Sequence, residues 1–143
     1  MRTFTAVVVL IAMSIAAPLS LACSCVPPPP PKEALKSSTA VFSGKCVDIK
    51  IDEKGFTKHV TFEVDLAWKG DVGKKVTITT AVHGATCGYG FTTKGDATYL
   101  VYCYGKPDAL ATNICTRTTT LAGAKGDLKE LGEGEKPKDE KKE

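Results

Sequence analysis

The clearest periodic signal along the chain is a run in which Val60, Phe62, Val64, Leu66 and Trp68 alternate with Thr61, Glu63, Asp65 and Ala67. A period of two sends successive side chains to opposite faces, so the run predicts a strand with one buried face. Lys69-Gly70-Asp71 marks a turn, and beyond it Val76, Ile78 and Val82 alternate with Thr77 and Thr79 as a second such strand. Upstream, residues 40–49 are apolar and β-prone, with Gly44 in the middle as the expected place of a bulge or tight bend. Residues 98–104 are apolar on both faces, the pattern of a strand covered from two sides. Residues 110–119 supply a fifth strand and residues 32–38 one or two helical turns. Five short strands with no long helix between them predict an all-β fold, a small closed barrel of the OB type with a short flanking helix.

Both ends of the chain break this pattern. Arg2, the apolar run over residues 6–17, Pro18, and small residues at Ser20 and Ala22 have the layout of a secretory signal peptide over residues 1–22. The apolar run is too short for a spanning helix and no second one follows, so no membrane span is expected. At the other end, residues 125–143 hold thirteen charges in nineteen positions, with almost nothing apolar after Leu131, and predict a charged, disordered tail. The globular domain is therefore expected over residues 23–124. The five prolines at 27–31 carry no N–H and fix φ, which makes that segment extended polyproline II.

Of the 143 residues 19 are basic and 16 acidic, for a formal charge of +3, and no basic run stands out. A phosphate-binding face is not visible, so nucleic acid is not an expected partner. The chain lacks a nucleophile-elbow, zinc-protease, phosphate-loop or dinucleotide motif, and with two histidines it offers no catalytic constellation; it does not read as an enzyme.

Six cysteines, Cys23, Cys25, Cys46, Cys87, Cys103 and Cys115, all follow the leader. An even count in a small exported domain argues for three disulfides, with fifteen connectivities open. The rival use is a zinc site from Cys23, Cys25, His83 and Cys87, but Cys-x-Cys is tighter than the usual structural spacing. Cleavage after Ala22 would make Cys23 the first residue. A cysteine in that position is also where bacterial lipidation occurs, although Ser20 stands where that processing wants a leucine-like residue. Cys23-Ser24-Cys25-Val26-Pro27-Pro28 would then be a chain start held by bridges and stiffened by prolines, whereas a terminus is normally the floppiest part of a chain.

These residues resemble the inhibitory domain of the tissue inhibitors of metalloproteinases, within the netrin-like OB-fold superfamily. The family pattern is a mature Cys-x-Cys start followed by Val-Pro-Pro, and Cys23 to Pro28 matches it. Cys87-Gly88-Tyr89 is similar to the family's Cys-Gly-Tyr, and Tyr99-Leu100-Val101 followed by Asn113-Ile114-Cys115 is similar to its strand pair ending in a cysteine. The resemblance covers about residues 23–120. It implies bridges Cys23–Cys87 and Cys25–Cys115, leaving Cys46–Cys103 as a third pair on strands that a barrel could make neighbours. It also implies a secreted, extracellular, monomeric inhibitor of zinc metalloproteases, with no cofactor of its own. The amino and carbonyl groups of Cys23 would bind the protease's zinc, Ser24 would enter the specificity pocket, Cys25, Val26 and Pro27 would lie along the cleft, and Gly84, Ala85 and Thr86 would touch it. The chain departs from the family in three ways. It lacks the cysteine that follows the prolines, it lacks the cysteine-rich C-terminal domain of vertebrate members, and the segment around residues 50–58 is short. The alternative is a netrin-like adhesion or scaffold module, periplasmic or lipid-anchored in a bacterium.

Overall fold

The computed structural model describes residues 22–138; the leader expected over residues 1–22 lies outside them except for Ala22, as do the last five positions of the expected tail. The element order is helix α1 (Pro31–Ser37), strands β1 (Ala40–Ile51), β2 (Thr57–Lys69), β3 (Lys75–Ala81), β4 (Thr98–Lys106), β5 (Ala109–Ala111) and β6 (Thr119–Thr120), and helix α2 (Lys125–Leu131). β1 pairs with β2, β2 with β3, β3 with β5, β5 with β4, and β4 again with β1. All these pairs are antiparallel except β3–β5. The circuit closes on itself, giving the five-stranded Greek-key barrel of the OB type expected from the strand pattern.

Two cores follow from the periodicity. Phe42, Cys46, Val60, Phe62, Val64, Ile78, Tyr99, Val101 and Cys103 fill the barrel. The opposite faces of β1 and β4 send Val41, Leu100 and Tyr102 outward, where Ala34 of α1 and Ala124 cover them together with half-buried Leu35, Trp68, Leu121, Leu128 and Leu131. β4 is apolar on both faces because each face has its own core. Gly44 lies at a register shift of β1. A Cβ there would come within 2.5 Å of the Glu63 carbonyl oxygen, so the close approach of β1 to β2 requires glycine.

Two expectations need correction. The fifth strand is not continuous over residues 110–119; it is split into β5 and β6, which pair with β4 at different heights, around an excursion that leaves the sheet. Hydroxyl groups replace the missing ladder bonds. The Tyr102 N–H donates to Thr118 Oγ1 (3.0 Å) and Thr112 Oγ1 donates to the Tyr102 carbonyl (2.8 Å). Asn113 then turns the chain, its Oδ1 accepting from the Cys115 N–H at 2.9 Å. A threonine-rich run therefore need not be a strand, since its side chains can satisfy the neighbouring strand from outside the ladder.

The second correction concerns the tail. Residues 125–138 are not disordered. α2 docks Leu128 and Leu131 on the outer core, Trp68 Nε1 donates to the Gly132 carbonyl (2.9 Å), and Ala67 and Glu135 exchange two backbone hydrogen bonds of 2.8 Å. The high charge of the segment concealed its apolar face, in which Ala124, Leu128 and Leu131 recur at helical spacing. Asp127, 8% exposed, is neutralised from the barrel: Arg117 Nε and Nη2 donate to its two oxygens at 2.7 and 2.6 Å, and the Tyr102 hydroxyl donates at 2.9 Å. The Arg117 guanidinium holds the Asp127 carboxyl below the usual carboxylate range, and burial, together with that hydrogen bond, raises the Tyr102 hydroxyl.

Ending the chain at Ala124 would strip Leu128 and Leu131 from the outer core and leave Arg117 half-buried without its carboxylate. It should cost roughly 3–5 kcal/mol, a fall in melting temperature of more than ~10 °C for a domain of this size. Acid should remove part of the same stability. The unfolded Asp127 takes up its proton near pH ~3.9 and the folded one only below that, so stability is present above this value and is lost as pH falls through the depressed folded pKa. Thermal melts from pH 6 to pH 2 check both: Asp127→Asn should flatten the acid limb, and an unchanged melt for the truncated chain would contradict the docking of α2.

Candidate functional site

One end of the barrel gathers the residues singled out in the sequence. After β3 the chain makes a single 3-10 turn, Gly84–Thr86, closed by the Thr86 N–H and hydroxyl donating to the His83 carbonyl at 3.1 and 2.9 Å. Cys87 ends the turn in the left-handed region at φ 63°, a conformation that costs a non-glycine residue roughly 1–2 kcal/mol. It is held there by its own N–H to Gly84 O (3.0 Å), by Gly88 N–H to His83 O (2.9 Å) and by its disulfide. Gly88 packs so closely under the turn that a Cβ would run into the Ala81 carbonyl. That contact is the local reason for glycine in Cys87-Gly88-Tyr89.

Cys23 is bridged to Cys87 and Cys25 to Cys115, with Cα separations of 5.3 and 5.1 Å. The bridges stack: Cys115 Sγ lies 4.0 Å from both Cys23 Sγ and Cys87 Sγ. The Cys23 nitrogen donates to the Ala85 carbonyl (3.1 Å), and the Ile114 N–H donates to the Cys87 carbonyl (3.0 Å), so the segment that begins at Cys23, the 3-10 turn and the excursion after β5 are joined at one point. Each bridge spans a long loop, 64 and 90 residues in sequence, and on the chain-entropy estimate either closure is worth roughly 4 kcal/mol. The result is a ridge. Ser24, Val26 (84% exposed), Pro27, Gly84, Ala85 and Thr86 all stand in solvent beside the half-buried bridges.

The remaining expectations fare differently. Cys46 and Cys103 are both free and buried. They sit on neighbouring strands, but Cys103 faces Ala40 while the Cys46 N–H meets the Ala97 carbonyl, six positions along β1. At ~3.3 Å per residue that is a separation of roughly 20 Å, far beyond what a disulfide spans. The expected third bridge therefore does not form, because adjacency of strands does not fix register. The rival zinc set fails on its own chemistry. Among the described residues the one cluster of potential metal-binding atoms is the sulfurs of Cys23, Cys87 and Cys115, and all three are consumed in bridges. Exposed His83 is not part of that cluster.

The short segment around residues 50–58 forms the neighbouring hairpin tip, between β1 and β2. Asp52 Oδ1 accepts from the Phe56 and Thr57 N–H groups (2.9 and 3.1 Å), which turns Phe56 out to 73% exposure, with Ile51 also exposed. The Val82 N–H donates to the Phe56 carbonyl (3.0 Å), which puts this apolar tip at the same end as the turn that follows Val82. An aspartate three residues before a glycine, with an aromatic just after it, was the available signal. No helix among the described residues is long and apolar enough to cross a membrane. No family model matches this chain, and no curated protein matches it either.

Peptide mapping without reduction should recover Cys23–Cys87 and Cys25–Cys115, together with two free thiols. Those thiols should be silent to reagents in the folded protein, because burial pushes both up, Cys103 to about 12. A peptide linking Cys46 to Cys103, or rapid labelling of the native chain, would contradict this pairing.

Proposed function

We propose that the chain, processed after Ala22, is a secreted inhibitor of zinc metalloproteases that binds the protease's zinc through the amino nitrogen and carbonyl oxygen of Cys23. The observation that carries the reading is the rigid, exposed ridge: two stacked disulfides and the Cys23–Ala85 hydrogen bond hold residues that would otherwise be a loose chain end. The likeness of Cys23 to Pro28 and of Cys87-Gly88-Tyr89 to the tissue inhibitors of metalloproteinases supports it from the sequence side.

The chemistry is straightforward. A catalytic zinc is held by three protein ligands and keeps a position for the water that attacks the substrate. An α-amino group has a pKa of ~7.7–8.0, so the neutral form with a free lone pair is accessible near pH 7. Such an amine at Cys23 can give one hydrogen to Ala85 and its lone pair to zinc. The adjacent carbonyl oxygen completes a small chelate, and the attacking water is displaced. A free peptide would lose its conformational freedom on binding; a start already fixed by two bridges has little left to lose. Ser24, between the two bridged cysteines, would project into the pocket beside the metal, while Val26 and Pro27 would follow the cleft and Gly84, Ala85 and Thr86 would rest on its rim. Phe56 and Ile51 extend the apolar surface at that end. The inhibitor has no cofactor, and zinc enters only as the partner's metal.

Adding one alanine before Cys23 turns the amine into an amide without a lone pair to donate. Inhibition of a susceptible zinc protease should then fall by at least a hundredfold while the melting temperature is unchanged; Ser24→Gly should instead change which proteases are inhibited. Inhibition constants for the processed, extended and Ser24→Gly proteins check this. Equal constants for the processed and extended forms would remove chelation and leave a netrin-like scaffold module as the reading.

A further inference from the structure

Between Cys25, bridged to Cys115, and Lys32 the chain offers a single backbone donor, the Val26 N–H, because residues 27–31 are all proline. Such an arm cannot pair with a strand and can be tethered through its carbonyls. The Pro30 carbonyl is taken by the Glu33 and Ala34 N–H groups as α1 begins (3.0 and 2.9 Å). The Pro29 carbonyl accepts from Arg117 Nη1 at 3.1 Å, the one side-chain hydrogen bond to residues 26–29 among those described. The same guanidinium spends Nε and Nη2 on Asp127 of α2. Its three nitrogens therefore join the exposed arm to the C-terminal helix. Arg117 can hold Pro29 only in the orientation that Asp127 imposes, and Asp127 is itself fixed by the Tyr102 hydroxyl on the barrel.

We infer that α2 acts on the barrel's binding end through Arg117, which is a positioning residue: the fork on Asp127 aims its third nitrogen at the Pro29 carbonyl and so fixes the direction in which Val26 and Pro27 leave the Cys25–Cys115 bridge. The clamp itself stands apart from the inhibitor reading; its effect on affinity rests on that reading. Ser24 lies between two bridges and is independent of the clamp, whereas Val26 depends on it. This separates positioning from general stability. Leu131 packs on the outer core and makes none of the clamp's hydrogen bonds, so Leu131→Ala loosens α2 but keeps every donor and acceptor of the clamp.

Amide nitrogen relaxation on the processed, full-length protein tests this without any protease. In the parent protein Ser24 and Val26 should both be rigid, with order parameters near ~0.85. In Arg117→Gln and in Asp127→Asn the Val26 value should drop below ~0.6 while Ser24 stays rigid. Leu131→Ala should lower the melting temperature by several degrees and leave Val26 unchanged. Against a susceptible zinc protease the first two variants should bind about tenfold more weakly. If Val26 stays rigid in Arg117→Gln, or loosens equally in Leu131→Ala, the clamp is overturned. If Val26 loosens as expected while no form inhibits any zinc protease, the clamp stands and the inhibitor reading falls.

Discussion

Two disulfides that meet side by side constrain the end of the barrel where the ridge stands. Each joins the start of the domain to a point far along the chain, and neither end point belongs to a regular strand. Cys87 closes a tight turn in a left-handed conformation, and Cys115 rides an excursion that leaves the sheet between β5 and β6. Hydrogen bonds shape both of these irregular segments, and the bridges then lock the segments to each other and to Cys23 and Cys25. Without the bridges, residues 23–30 would keep, among the described contacts, the Cys23–Ala85 and Arg117–Pro29 hydrogen bonds and the start of α1.

The barrel meets this constraint by being closed on one side and covered on the other. β1 and β4 carry apolar residues on both faces, so they need a second cover, which α1 and α2 supply. α2 is a short helix with a charged exterior and could not stand alone. It is retained by Leu128 and Leu131 and by a buried carboxylate whose charge the barrel matches with Arg117. A buried ion pair is a poor source of net stability but a strict specifier of geometry when both partners are fully hydrogen-bonded. Here both carboxylate oxygens are bonded, each by Arg117 and one by Tyr102 as well. The pair sets where α2 sits, and the spare nitrogen of Arg117 links that position to the proline arm.

Strands with strict alternation were legible in the sequence because side-chain direction alone decides them: β2 and β3 fall where the period-two pattern puts them, and the two-faced pattern of β4 reports its two cores. The short first helix and the special role of Gly44 were legible for similar local reasons. What was not legible depended on partners distant in sequence. The run over residues 110–119 has strand composition, yet its threonine hydroxyls bond Tyr102 from outside the ladder, which no local pattern reveals. The C-terminal segment looks too charged to pack until Arg117 is known to lie beneath Asp127. Of the site, the residues of the ridge were found through their motif, and their convergence is a matter of two bridges. The register that separates Cys46 from Cys103 and the exposed Phe56 tip came only with the fold.

Rigid presentation and zinc chelation are separable claims, and chelation is the role we propose for the ridge. X-ray absorption at the zinc edge of a catalytic metalloprotease, recorded alone and then saturated with the processed protein, tests it most directly. Chelation by Cys23 would replace the metal-bound water with a nitrogen and a carbonyl oxygen, so the metal's shell should gain one nitrogen–oxygen scatterer and expand from four ligands towards five. An unchanged zinc environment in a protease that is nonetheless inhibited would contradict the account and place the inhibitory contact away from the metal.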